Sequence, residues 1–500
     1  MTPHPRRWQI LGVLCLSLFV VVVDNTILNV AIPSLLKDLD ATMSDVQWTI
    51  DAYSLVFAGL LITAGSLGDR HGRRRAMLAG FALFGAGSLL AAFAASPAQL
   101  VAMRGLMGVG GALLMPGTLS IMAQVFGPDE RPKAFAIWGA TSMVGLAAGP
   151  TLGGFLLEHF WWGSVFLVNV PVTLVAVAGL LVLVPESRGP RRRPDVLGAV
   201  LSTAGMATLV WAIISGPAHG WTGPRTVGGL LAGVAALVLF VCWQHRNPEP
   251  MLDLRLLRDR NFSGAAAMIA LFGFALAGML FALTQLLQLV LGYGPLKAGL
   301  ALLPVAVSAG LGNGLGASLE SRFGARPALV TGFAVAAAGF GGLGLAGDGG
   351  YGLLAVGLSV LGFGAGLGTP PAYSTLMAAV PPEEAGVGSA VNDAGQELGS
   401  ALGVAVLGSI VSAAYAGALP GTVSSAARHS LGEALALGDP GLAHAAREAF
   451  TDAVAVASYA ACAAMLTAAL FAAFILRPDR PVPTSERPEE ARKNSRVVRQ

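Results

Sequence analysis

The chain has 500 residues, 54% of them hydrophobic and only 12% charged, with a mean hydropathy of +0.68. Soluble domains carry about 25% charged residues, so this composition excludes one and indicates an all-α polytopic membrane protein. The formal net charge of +3 points to no nucleic-acid partner, and Cys15, Cys242 and Cys462 fall in separate apolar segments without the spacing of a metal site or a disulfide pair.

In chain order, apolar runs of about 20 residues, long enough to cross a roughly 30 Å core as helix, predict spans near 8–33, 45–68, 75–95, 99–123, 133–157, 163–184, 195–216, 225–245, 262–291, 297–319, 326–346, 351–380, 386–415 and 452–476. The leading MTPHPRRW has the basic flank of a signal sequence, but the run behind it is too long and lacks a small-residue cleavage site, so it reads as a permanent span. Arg6 and Arg7, Arg70 to Arg75, Arg131 with Lys133, Arg188 to Arg193, Arg246 to Arg260, Arg322 with Arg326 and the Arg-rich tail alternate onto one side. That side, with both termini, is expected to be cytoplasmic.

Ser66, Leu67, Arg70, Gly72 and Arg74 recur as Ser318, Leu319, Arg322, Gly324 and Arg326 at a constant offset of 252, each set following an even-numbered span. The expected organisation is therefore an N-terminal six-helix half (1–184), a linker with two inserted helices (185–260), a C-terminal six-helix half (261–476) and a cytoplasmic tail (477–500). The stretch 416–451 reads as a partly helical external excursion.

Asp24 lies inside the first span, where an unpaired charge costs at least about 2.5 kcal/mol, so binding of a proton or cation is its functional reading. Arg104 falls about five residues, roughly 7 Å, in from the end of the fourth span, and Asp51 sits in the outer half of the second. The three are expected to share one depth and to exchange a proton as an Arg approaches or leaves a carboxylate; snorkelling for Arg104 and an interfacial cap for Asp51 are the bland alternatives. Asp393 and Glu397, four residues apart in the thirteenth span, share a helix face and favour sharing one proton, unless Asp393 is hydrated near the cytoplasmic mouth.

The loop GSLGDRHGRRR, with Gly65, Gly68, Asp69, Arg70, Gly72, Arg73 and Arg74, reads either as a conformational latch or as a topogenic basic loop. Gly145, Gly149, Pro150, Gly153 and Gly154 give the fifth span a removed donor and free space for kinking and close packing. Trp48, Tyr53 and Trp138 offer cation-π or apolar contact to a cation drawn by Asp24, Asp51 and Glu397. No His falls mid-span and no GK[ST] follows a glycine cluster, so an ion gradient is the expected energy source and no cofactor is expected beyond protons.

These stretches resemble the major facilitator superfamily. GSLGDRHGRRR is similar to its signature loop, DNTILNVAIP (Asp24 to Pro33) to the first-span motif of fourteen-span drug:proton antiporters of EmrB/QacA type, Arg104 to Gly111 to the Arg-containing proton-relay motif, and Gly145 to Gly154 to the antiporter motif, with LEHFWWGSVFLVNVP behind it. Asn392, Asp393, Glu397 and Leu398 resemble the quaternary-ammonium efflux pumps, which carry Arg where this chain has Gln396. The resemblance implies two six-helix halves with two inserted helices, and a non-enzymatic, monomeric proton-coupled antiporter of a bacterial cytoplasmic membrane exporting amphipathic, cationic drugs. Export of a single endogenous metabolite or antibiotic is the alternative.

Overall fold

Hydrocarbon offers no partner to backbone N–H and C=O groups, so each apolar run closes its hydrogen bonds on itself as helix. The computed structural model describes residues 4–39, 43–127, 129–189, 195–347, 350–381, 384–420, 423–424, 427–428 and 430–476. Among these residues fourteen helices are long and apolar enough to cross a membrane, and no strand occurs. They are α1 (Arg7–Asp38), α2 (Met43–His71), α3 (Arg73–Ala92), α4 (Pro97–Val125), α5 (Arg131–His159), α6 (Asn169–Leu183), α7 (Val196–His219), α8 (Pro224–Arg246), α9 (Arg260–Gln285), α10 (Leu303–Phe323), α11 (Ala325–Leu345), α12 (Gly350–Ala378), α13 (Ala385–Ala418) and α14 (Pro440–Phe474). The expected tail 477–500, Arg191 to Arg193 of the linker, His429 and the side chains of Asn29, Pro33 and Gln47 lie outside the described residues.

Three spans are less regular than hydropathy suggests. The sixth is broken into a turn, Ser164–Leu167, and α6; the tenth into Pro295–Ala301 and α10, with Pro304 at the break; α9 runs into a π-helical turn, Leu286–Val290. The last helix starts at Pro440, well before the apolar run that begins at 452. A cap decides its start: Asp439 accepts from the N–H groups of Gly441 (2.9 Å) and Leu442 (3.3 Å), with Pro440 at the first position. The stretch 416–451 thus contains Leu431–Ala436 and the opening turns of α14.

The repeat read in the sequence reappears in the backbone. Gly72 (φ +117°) and Gly324 (φ +88°), equivalent by the offset of 252, each stand alone between consecutive helices in a region that favours glycine. Arg74 and Arg326 are equivalent too. Arg74 Nη1 donates to the Val184 carbonyl just past α6 (3.1 Å), and Arg326 Nη2 donates to the Ala473 carbonyl in the last turn of α14. Each arginine neutralises the carbonyl end of the last helix in its own half.

The halves meet along two flanks at opposite ends. Where the basic loops lie, α2 abuts α13: a Cβ on Gly65 would sit 2.6 Å from both the Ala390 Cβ and the Gly386 carbonyl oxygen. At the other end α5 meets Pro295–Ala301, with Gly299 against Pro150 and Gly154 against Leu296. The basic end is tied within the N-terminal half by Arg7, which donates to Glu130 at 2.6 and 2.8 Å and holds that carboxyl below its ordinary pKa.

The inserted helices form a hairpin closed at its base by Asp195. This N-cap of α7 accepts from the N–H of Gly198 (2.8 Å), Trp243 Nε1 (2.7 Å) and Gln244 Nε2 (2.5 Å). Burial pushes the Asp195 carboxyl up, but these bonds together outweigh it and hold the group below the usual carboxylate range.

Candidate functional site

Asp24 of α1 and Arg104 of α4 are almost wholly buried and pair directly, Arg104 Nη1 donating to Asp24 Oδ2. A buried pair is tolerated only when its remaining donors and acceptors are satisfied. Arg104 Nε donates to the Thr49 carbonyl (3.1 Å), and the Tyr53 ring lies 4.4 Å from the guanidinium carbon. Asp24 Oδ1 accepts from Asn169 Nδ2 (2.7 Å), which also reaches Ser88 Oγ (3.0 Å), itself bonded to the Phe166 carbonyl (2.8 Å). Asn169 and Ser88 were not among the residues the sequence singled out. The available signal was a buried-type amide opening the apolar run VFLVNVPVTLVAVAGL, where a polar group inside a span is a candidate in its own right.

Asp51, expected at the same depth as Asp24 and Arg104, does not contact this pair. The reason is helical phase. Thr49 and Tyr53, four residues apart, face Arg104, whereas Asp51 between them is turned to the far side of α2. There it lines a cavity of about 1140 Å³ between α2, α7, α9 and α13, which extends toward Tyr415, Leu431 and Phe450, away from the basic end. Glu397 faces it from α13. Among the described lining residues Asp51 and Glu397 are the carboxylates, with no Lys, Arg or His beside them.

Asp393, expected to share a proton with Glu397, does not line the cavity with it. It is buried one turn nearer the basic end, outside the cavity lining, and accepts from Asn392 Nδ2 (3.2 Å) and Ser389 Oγ (3.5 Å). Gln396, standing where an arginine was expected, accepts from the Tyr373 hydroxyl (3.0 Å), and Tyr373 packs edge-on against Trp138 across the two halves (5.1 Å between centroids). Trp138 and Tyr53 are therefore buried packing groups in this conformation, outside the cavity lining, while Trp48 is exposed at the start of α2.

The Gly65 to Arg75 loop makes a contact between the halves. Asp69 accepts from the backbone N–H groups of Gly386 (3.2 Å) and Val387 (3.0 Å) in the first turn of α13, and from Arg73 Nε (2.7 Å) one turn along its own chain. A carboxylate at a helix N-terminus satisfies orphan donors and faces the positive end of the dipole. Gly68 packs near Ala76, Arg74 reaches Val184 and Glu186, and Arg70 is half-buried. On α5, Gly145 admits Val22 and Gly149 admits Thr26 of α1, while Pro150 and Gly154 face the other half and Gly153 is buried.

A family model described as Major Facilitator Superfamily matches residues 14–195 and 183–404. The chain is 38% identical over 486 residues to the multidrug efflux pump LfrA of Mycolicibacterium smegmatis, covering 93% of this chain and 95% of that protein. It is 36% identical over 444 residues to the methyl viologen resistance protein SmvA of Salmonella typhimurium (86% and 89% covered) and 35% identical over 418 residues to the tetracenomycin C resistance and export protein of Streptomyces glaucescens (83% and 78%). Among solved structures the human organic anion transporter MFSD10 superposes with a TM-score of 0.64 over 94% of this chain and all of that one; at 16% identity the likeness is one of fold.

Proposed function

The chain belongs to the major facilitator superfamily, and on that premise we propose that it is a proton-coupled antiporter exporting amphipathic, cationic drugs across the bacterial cytoplasmic membrane. It is a transporter and not an enzyme. The observation that carries the reading is the cavity between the halves, where Asp51 and Glu397 are the carboxylates among the described lining residues. A carboxylate there holds a proton or a drug cation but not both, and that competition is sufficient for exchange. The drug-pump relatives support export as the direction of useful work.

With the basic end cytoplasmic, as the distribution of Arg and Lys supports, this conformation is sealed on the cytoplasmic side by Asp69 against α13 and open outward. Protons entering from outside displace drug from Glu397 and Asp51. Release of Asp69 from α13 frees α2 to shift within its own half, carrying the Thr49 carbonyl and the Tyr53 ring away from Arg104, which makes Asp24 the second proton acceptor of the cycle.

The test is drug-induced proton release from purified protein in detergent, with lipophilic mono- and dications, for wild type, Asp24→Asn and Glu397→Gln. Release in wild type that vanishes in Glu397→Gln is expected; release that persists unchanged in both variants would sink the competition scheme. A second reading, export of one hydrogen-bonding metabolite, is favoured by the polar cavity wall of Ser54, Gln285, Ser400, Ser409 and Ser412 and by the relative named for a single antibiotic. One tight ligand in a competition panel, with the cations all weak, would decide for it.

A further inference from the structure

The first inserted helix reaches the cavity. Val210 and Ile214, one turn apart on one face of α7, line its wall together with Asp51 of α2 and Ser409 of α13. The same stripe continues toward the basic end as Ala207 and Thr203, which pack on α2. A Cβ on Gly59 would lie 3.3 Å from the Ala207 Cβ, and Thr63 Oγ1 is 3.2 Å from Thr203 Oγ1. The neighbouring stripe, Leu197, Val200 and Ala204, is exposed. Beyond the far end of α7, Trp221 Nε1 donates to Ser409 Oγ at 3.2 Å. One helix thus touches both halves along the flank where α2 and α13 separate, with an apolar face toward the cavity and another toward lipid.

We propose that α7 is a wall of the substrate cavity, that the apolar volume left by Val210 and Ile214 selects among substrates, and that α7 closes the α2/α13 opening against lipid. This rests on the cavity being the drug site. The apolar patch that Val210 and Ile214 add to a cavity holding two carboxylates suits cations with a bulky hydrocarbon body, and trimming or adding methylenes on such a patch changes discrimination by about 10- to 200-fold. The inserted hairpin then has a selective role and is more than a spacer between the halves.

The test uses single cysteines in the full chain with Cys15, Cys242 and Cys462 replaced by Ala, a charged membrane-impermeant thiol reagent, and tetraphenylphosphonium as the probe cation. Because the thiolate in water is the reactive species, the Ile214→Cys and Ala401→Cys thiols are expected to react at least about tenfold faster than the lipid-facing Val200→Cys thiol, and the probe should slow both. An Ile214→Cys thiol as inert as that of Val200→Cys overturns the wall. One that reacts but is not slowed, while Ala401→Cys is slowed, overturns the selective role. Slowing at neither position removes the cavity as the drug site, which is the failure of the underlying reading and not of α7's placement. In efflux assays Ile214→Trp should lose the largest cations and keep the smallest; a panel unchanged from wild type counts against selection.

Discussion

Asp69 and Val387, 318 residues apart in the chain, are joined by a 3.0 Å hydrogen bond from the Val387 backbone N–H to Asp69 Oδ2. The acceptor lies at the end of α2 and the donor in the first turn of α13, so a loop that looks like one between neighbouring helices is a fastening between the halves. Gly386 makes the approach possible, because a Cβ there would lie 2.7 Å from the Asp69 carboxyl carbon. The equivalent of Asp69 in the second repeat is Ser321, which has no carboxylate to offer at that position.

Asp69→Ala and Gly386→Ala should both favour opening of the basic end. A carboxylate at a helix N-terminus contributes about 1–2 kcal/mol in a partly buried setting, equivalent to a roughly 5- to 30-fold shift in population. Labelling of an Ala390→Cys thiol from the basic side should accelerate by that factor in either background. An unchanged rate would remove Asp69 from the fastening.

Arg104→Leu leaves the Asp24 carboxylate buried without its partner, and breaking a buried pair costs about 3–5 kcal/mol. The midpoint of thermal unfolding in detergent should fall markedly. In Asp24→Asn/Arg104→Gln the charges leave together, so stability should recover toward wild type while drug efflux stays lost. A double variant as unstable as the single one would show that the pair is not the source of the loss.

Asn169 donates to a charged partner and Ser88 to a neutral one. Hydrogen bonds to charged groups contribute about 1.5–3 kcal/mol against about 1 for neutral ones, so Asn169→Leu should destabilise more than Ser88→Ala and should impair efflux as Asp24 loses its support. The reverse order of unfolding midpoints would contradict the hydrogen-bond chain.

Asp195 provides a pH signature outside the membrane-spanning segments. Its native pKa lies below the unfolded value of about 3.9, so its contribution is fully present above that value and is lost as pH falls through the native pKa. Asp195→Ala should cost about 1 kcal/mol as a lost cap at pH 7. The gap to wild type, followed by thermal unfolding, should stay constant from pH 8 to about pH 5 and narrow below about pH 4. A gap that persists unchanged at pH 3 would mean that the charge plays no part.

Hydropathy alone determined the fourteen spans, because a helix is the one open element whose backbone is satisfied in hydrocarbon, and the position of Arg and Lys determined which ends lie together. The offset repeat was equally legible, and the structure gives it a cause in the paired glycines and in Arg74 and Arg326. Asp24 and Arg104 stood out because charge is conspicuous at membrane depth. What tertiary structure decided was direction. A two-residue step along α2 sends Asp51 to a cavity and Thr49 to an arginine; one turn along α13 separates an enclosed Asp393 from an accessible Glu397. Asn169 and the wall formed by α7 depend on contacts between segments distant in sequence, and an apolar helix carries no mark of which side faces lipid and which faces a substrate.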